Sequence, residues 1–256
     1  MSDELLAAVI RAIEDSVQRQ TDEIRRMLDV IRLDIRNLEW RTRRSQSYAA
    51  DAAAAATSAA YLHEHMRDAR PMPHRLVTLD YALSRVVDLD GMALEFGVYK
   101  GETLARIAKA RDDKQVFGFD SFQGLPESWL PDHQACLFGP DDPAGVQAAP
   151  EVPGAELVVG WFDETLPGFL AAHPGPVALL HVDCDLYSST KIVLDHVGPR
   201  LRPGSVVVFD EYFNYPGWQG HEFLAWQEYV AQHGIKFSYL AYTEDAISVA
   251  IRIDEV

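Results

Sequence analysis

The chain has 256 residues, 48% of them apolar, enough for one full α/β domain with a further segment left over. Its 39 acids against 23 basic residues give a formal net charge of −16, a field that repels polyanions and so argues against nucleic acid or anionic membrane as partners. Only Cys136 and Cys184 are present, too few for a disulfide framework or a Cys-based zinc site. No apolar run is long enough to cross a bilayer, and the start MSDELLAAVIRAIED lacks the basic head and small-residue cleavage site of a secretory signal. The expectation is a cytoplasmic protein with two reduced thiols, Cys184 serving as a small core side chain.

Two organisations follow one another along the chain. In residues 1–70 the apolar positions Leu6, Ile10, Ile13, Val17, Ile24, Leu28, Ile31, Ile35 and Leu38 step mostly by four and three, with a polar interruption near Gln20 and Thr21. This heptad-like seam, free of Gly and Pro, predicts a long helix that self-associates as a coiled coil, most simply a dimer, or else folds back on its own chain. The alanine-rich SYAADAAAAATSAAYLHEHM continues the helical region, and PMP at 71–73 ends it. Residues 71–256 read as a separate catalytic domain.

There the pattern becomes α/β. Strands are predicted at 92–96, 115–120, 156–160, 177–183, 205–210, 236–241 and 246–252, with helices over TLARIAKAR, ETLPGFLAAH, STKIVLDHVGPRL and HEFLAWQEYVAQH. The alternation predicts a Rossmann-like sheet of about seven strands with helices on both faces. A closing hairpin would add one antiparallel edge strand, the class I methyltransferase topology.

LEFGVYKGETL fits a strand, a glycine turn and a helix. Gly97 and Gly101 permit a tight turn and close approach of a ligand, with Thr103 at the start of the helix. The GxxxG spacing is neither the dinucleotide fingerprint nor a P-loop, which argues against a nicotinamide oxidoreductase. Glu95 suits a cationic ligand such as S-adenosylmethionine. Asp120 ends the next strand, in FGFDSFQGLP, where a carboxylate accepts ribose hydroxyls or caps the following turn. Ser121 and Phe122 fall beside it. Trp161 and Phe162 either flank an adenine or simply pack at the strand end, and Asp163 either receives the adenine amino group or caps a helix.

Two apolar runs end in acids, LLHVD with CD after it and VVVFDE, and so deliver Asp183, Asp185, Asp210 and Glu211 to neighbouring strand tips. Four carboxylates in one small space need a cation or protons to coexist. All-oxygen ligands suit magnesium, manganese or calcium over zinc. Asp185 is otherwise a cap for the helix that follows. His221 is an alternative base or a helix-start residue. Tyr212, Phe213, Tyr215 and Trp218 are expected to wall an acceptor pocket, and the loop from Pro126 to Pro153 is either a lid or a passive insertion.

Together LEFGVYKGETL, GFDSFQGLPE, GWFDETLP, HVDCDLYSST and VVFDEY resemble the macrocin O-methyltransferase family over about residues 75–252. The resemblance implies magnesium-dependent methyl transfer from S-adenosylmethionine to a sugar hydroxyl, on a nucleotide sugar or an attached one. Asp183, Asp210 and Glu211 would then be metal ligands, Asp183 also bordering the cofactor, with Asp185 as general base. Glu211 stands where the family often has a second aspartate. A catechol-type acceptor, another reaction on the same fold, and a non-catalytic scaffold remain as alternatives.

Overall fold

In the computed structural model, residues 3–86, 90–111, 115–130, 135–143, 145–146 and 148–256 are described. The N-terminal helical stretch is two helices, α1 (Asp3–Arg44) and α2 (Gln46–His65), separated at Ser45. Then come β1 (Arg70–Met72), α3 (Arg75–Arg85), β2 (Met92–Phe96), α4 (Glu102–Ala110), β3 (Val116–Asp120), β4 (Glu156–Val159) and α5 (Phe162–Ala172). The chain continues through β5 (Val177–Val182), α6 (Tyr187–Val197), β6 (Val206–Phe209), α7 (Glu222–His233), β7 (Lys236–Thr243) and β8 (Val249–Glu255). Two compact units result, one running up to Ala53 and the other Ala54–Val256. No described helix is long and apolar enough to cross a membrane.

The strands form one sheet in the order β1-β7-β8-β6-β5-β2-β3-β4. All neighbours are parallel except β8, which runs antiparallel to both β6 and β7. Seven of the eight strands are those the sequence predicts. Two details differ: β8 lies inside the sheet, because the β7–β8 hairpin folds back so that β8 meets β6, and β1 extends the edge beyond β7. Pro71 is tolerated in β1 because an edge strand needs a ladder on one side only.

The central strands β2, β5 and β6 are buried on both faces, as their nearly unbroken apolar runs require. Met92, Leu94 and Phe96 join one core cluster while Ala93 joins the other, the period-two alternation of a strand. The register Phe96↔Val182↔Phe209 ends the three strands at one level. Gly97, Asp183 and Asp210 therefore emerge side by side. Here Gly97 has φ +94°, and a Cβ on it would lie 1.6 Å from the Asp183 carbonyl oxygen. Only glycine lets the β2 turn pass so close to the end of β5.

Candidate active site

At the C-terminal ends of the parallel strands lies a cavity of about 760 Å³. Asp183 extends β5, and Asp210 and Glu211 extend β6. One carboxylate oxygen from each lies within 4.8 Å of the others, and this is the acid group that could hold a metal ion among the described residues. Asp210 accepts from Ser248 Oγ at 2.8 Å and pairs with Arg75 at 3.4 Å. Arg75, from α3, also reaches Glu102 and is the only basic residue among the described residues lining the cavity.

The electrostatics follow from burial. Glu211 Oε2 is buried with no hydrogen-bond partner. Burial first, and then its acidic neighbours, pushes Glu211 and Asp183 well above the carboxylate range. Burial and the charge of Asp210 push Asp185 up to about 7. Three converging acids, one of them with a buried oxygen left unpartnered, are a donor set that a hard divalent cation fits.

Asp185 lines the same cavity with its backbone in the left-handed region, φ 63°. Such a conformation is tolerated by aspartate and breaks the strand alternation directly after Asp183. The N-cap of α6 is Leu186, with no side-chain cap bond, so the Asp185 carboxyl is not consumed in capping.

The other end of the cavity is built by β3 and β4. Asp120 accepts from the backbone N–H groups of Val98 and Tyr99, both at 2.9 Å, and of Phe122 at 2.7 Å. Its carboxylate thus ties the glycine turn of β2 to the turn after β3, which is the capping alternative realised. It still lines the cavity, together with Ser121, Trp161, Phe162 and Asp163. Leu125, Trp129, Leu137, Phe138 and Val146 supply an apolar wall, the roof of the cavity. Part of the segment anticipated as lid or insertion therefore lines the cavity, while Pro150 and Val152 pack against Gly101; its residues 131–134, 144 and 147 lie outside the described residues.

Several expected site residues lie elsewhere. Glu95 is fully buried beneath the site, accepting from Thr103 Oγ1 at 3.0 Å and contacting His181 Nδ1 at 3.2 Å. Neither Glu95 nor Thr103 lines the cavity, because strand alternation turns Glu95 to the same face as His181, its partner in register on β5. Burial acts to lower the His181 pKa, but the hydrogen bond and charge of Glu95 outweigh it and hold it up at about 9. Gly101 sits against Val152 and Pro150, and Phe122 packs into the core. His221 is half-buried near Trp129 and Tyr215, with its pKa lowered by burial, and does not line the cavity.

The aromatic cluster also departs from expectation. Tyr212, Phe213, Tyr215 and Trp218 are all core residues and none lines the cavity. Trp218 Nε1 donates to Thr57 Oγ1, and the Asn214 N–H donates to Ser58 Oγ, so this segment docks the C-terminal part of α2. Cys184 borders the cavity but belongs to the core, and burial pushes its thiol well above the usual range, as an unreactive cysteine requires.

Two residues that sequence reasoning missed matter here. Arg75 lies in a helix the sequence reading did not separate. Glu222, fully buried at the start of α7, accepts from the Glu211 N–H at 3.1 Å through Oε2, while its Oε1 has no partner. An acid heading an otherwise apolar helical face was the available signal for it.

Residues 94–212 match the family model of a methyltransferase domain. The chain is 32% identical over 161 residues to the 8-demethyl-8-(2,3-dimethoxy-alpha-L-rhamnosyl)-tetracenomycin-C 4'-O-methyltransferase of Streptomyces olivaceus, covering 54% of this chain and 60% of that one. It is 34% identical over 143 residues to the mycinamicin III 3''-O-methyltransferase of Micromonospora griseorubida, covering 48% and 55%. The alignments thus span less than two thirds of these relatives. Among solved structures, the calicheamicin methyltransferase CalS11 superposes with a TM-score of 0.56 at 26% identity, covering 69% of this chain and 77% of that one. The sheet order and these likenesses make the α/β unit a class I methyltransferase fold.

Proposed function

We propose that the chain transfers the methyl group of S-adenosylmethionine to a sugar hydroxyl, with a divalent cation held by Asp183, Asp210 and Glu211. The observation that carries this reading is the convergence of three carboxylate oxygens within 4.8 Å at one end of a cavity whose other end holds Asp120, Trp161 and Phe162. Relatives named as O-methyltransferases, the first on a rhamnosyl compound, favour a sugar acceptor over a catechol. An intact acid set disfavours a silent scaffold.

The sulfonium is already an activated leaving group, so the chemical burden falls on the acceptor hydroxyl. Asp185, raised by burial above the ordinary carboxylate range, is placed to take that proton, a step worth about 10²–10⁴-fold. A bound magnesium, or manganese or calcium, would supply Lewis-acid stabilisation of the developing alkoxide charge. Trp161 and Phe162 offer apolar surface for an adenine, and Asp120 keeps lone pairs that ribose hydroxyls would use. The apolar roof around Trp129 and Phe138 excludes water and holds the acceptor over the acids. Arg75 offsets charge at Asp210 and keeps that carboxylate oriented.

The α/β domain, taken from the sequence as residues 71–256, carries this chemistry, in the cytoplasm. The helical region before it serves self-association, a role that falls chiefly on α1. Calorimetric titration of S-adenosylmethionine, with and without magnesium, tests the reading on the intact chain and on Asp120→Ala. Saturable binding lost in the variant supports it; no binding to the intact chain under either condition rejects it.

A further inference from the structure

We infer that α1 pairs with α1 of a second copy in antiparallel orientation, centred between Gln20 and Thr21. The inference rests on the self-association reading above and adds direction and register to it. Along α1 the seam residues from Leu6 to Leu38 are each 46–60% exposed. A 42-residue helix with an apolar stripe left in water gains little from propensity alone and is stabilised by covering that stripe.

Two independent features set the direction. From Leu6 to Ile35 the steps of the seam run 4, 3, 4, 7, 4, 3, 4, which reads the same in both directions. Reversing one copy about the midpoint therefore brings Leu6 against Ile35, Ile10 against Ile31, Ile13 against Leu28 and Val17 against Ile24. The polar pair Gln20 and Thr21 meets itself at the centre, so the one interruption of the stripe is confined to one place.

Charge then separates this arrangement from a parallel one. Up to the centre at Gln20, α1 carries four acids (Asp3, Glu4, Glu14, Asp15) against Arg11 and Arg19. From Thr21 to Arg44 it carries five acids (Asp22, Glu23, Asp29, Asp34, Glu39) against seven arginines, three of them in the last turn. Antiparallel pairing lays the net-negative half of each copy along the net-positive half of the other. The flanking positions agree: Glu14 meets Arg25 twice by symmetry, whereas parallel in-register pairing sets Asp34 against Glu39 twice. The contact is isologous and closes at two copies.

The test uses the full chain in a Cys136→Ser background, since Cys136 is exposed and Cys184 buried. Light scattering should give a dimer mass. Under mild oxidation, Leu6→Cys alone should not cross-link, while an equimolar mixture of Leu6→Cys and Ile35→Cys should. Glu14→Arg should weaken dimerisation roughly tenfold, and adding Arg25→Glu should restore it. A monomer mass rejects self-association itself. A dimer in which Leu6→Cys cross-links alone, or in which the double charge reversal fails to rescue, overturns the antiparallel register while leaving self-association standing.

Discussion

Removing divalent cations should make stability fall steeply as pH rises, and restoring them should matter only at the high-pH end. Asp185 is pushed from about 3.8 to about 7 by burial and Asp210, and Asp183, Glu211 and Glu222 shift in the same direction. Between those pH values the folded chain holds more protons than the unfolded one, so its stability decreases as pH rises through the window. For Asp185 alone, roughly three pH units at ~1.4 kcal/mol each give a loss on the order of 4 kcal/mol, shared among the coupled acids. His181 adds a second loss: held up at about 9, it contributes stability that is complete below about 6.5 and disappears as pH climbs through 9. A unit of about two hundred residues loses roughly 2–4 °C of Tm per kcal/mol, which predicts a fall of about 10 °C between pH 5 and pH 8 in chelator. A divalent cation binds only the ionised acids. Magnesium, manganese or calcium should therefore recover much of that fall at pH 8 and change little at pH 5. Thermal unfolding followed by circular dichroism measures both arms, and Asp183→Asn should flatten the chelator profile. A cation-induced shift of equal size at both pH values, or a Tm that rises with pH in chelator, would refute the assignment of these acids.

Gly97→Ala should cost more than about 4 kcal/mol, because its Cβ would lie 1.6 Å from the Asp183 carbonyl oxygen in a left-handed backbone. Gly168→Ala in α5 meets nothing within 4 Å and should stabilise by about 0.5–1 kcal/mol; denaturant titration of both variants checks the contrast. Asp185→Asn should lower methyl transfer by about 10²–10⁴-fold while S-adenosylmethionine binding persists. The intact enzyme's rate should rise with pH as Asp185 loses its proton, with a midpoint below that of the cation-free site because a cation on Asp210 offsets the charge that helps raise it. Equal loss of binding and rate in that variant would reassign Asp185 to the cofactor.

The acid tips were legible because a strand buried on both faces must be written as a continuous apolar run, and VALLHVD and SVVVFDE are written so. The parts that escaped were fixed by partners distant in sequence. Strand β1 is three residues with a proline, and its pairing with β7 across most of the domain has no local signature. Arg75 follows a proline-rich breaker, and its position over Asp210 comes from the packing of α3. The aromatic residues after Glu211 were misread for a related reason: a ring beside a strand tip can face a ligand or a helix, and only the presence of α2 decides. Tyr61 takes the hydroxyls of Tyr239 and, through it, Tyr212 into one hydrogen-bonded chain with Gln227, which consumes the polar ends of these rings internally.

The same logic explains why a site with so many acids can exist in a folded chain. Asp183 and Asp210 are each tied by a backbone N–H to the neighbouring strand, to Phe96 and Val182, so the acids cannot drift apart to relieve repulsion. Glu222 fixes the Glu211 backbone in turn, through a hydrogen bond that leaves its second oxygen unpaired. The rigid strand tips thus hold the carboxylates at a spacing unfavourable for bare charges and suited to a cation between them. A loop-borne cluster would have relaxed into solvent. That stored repulsion is what makes the pH and cation dependence of unfolding a direct readout of the site, separate from turnover.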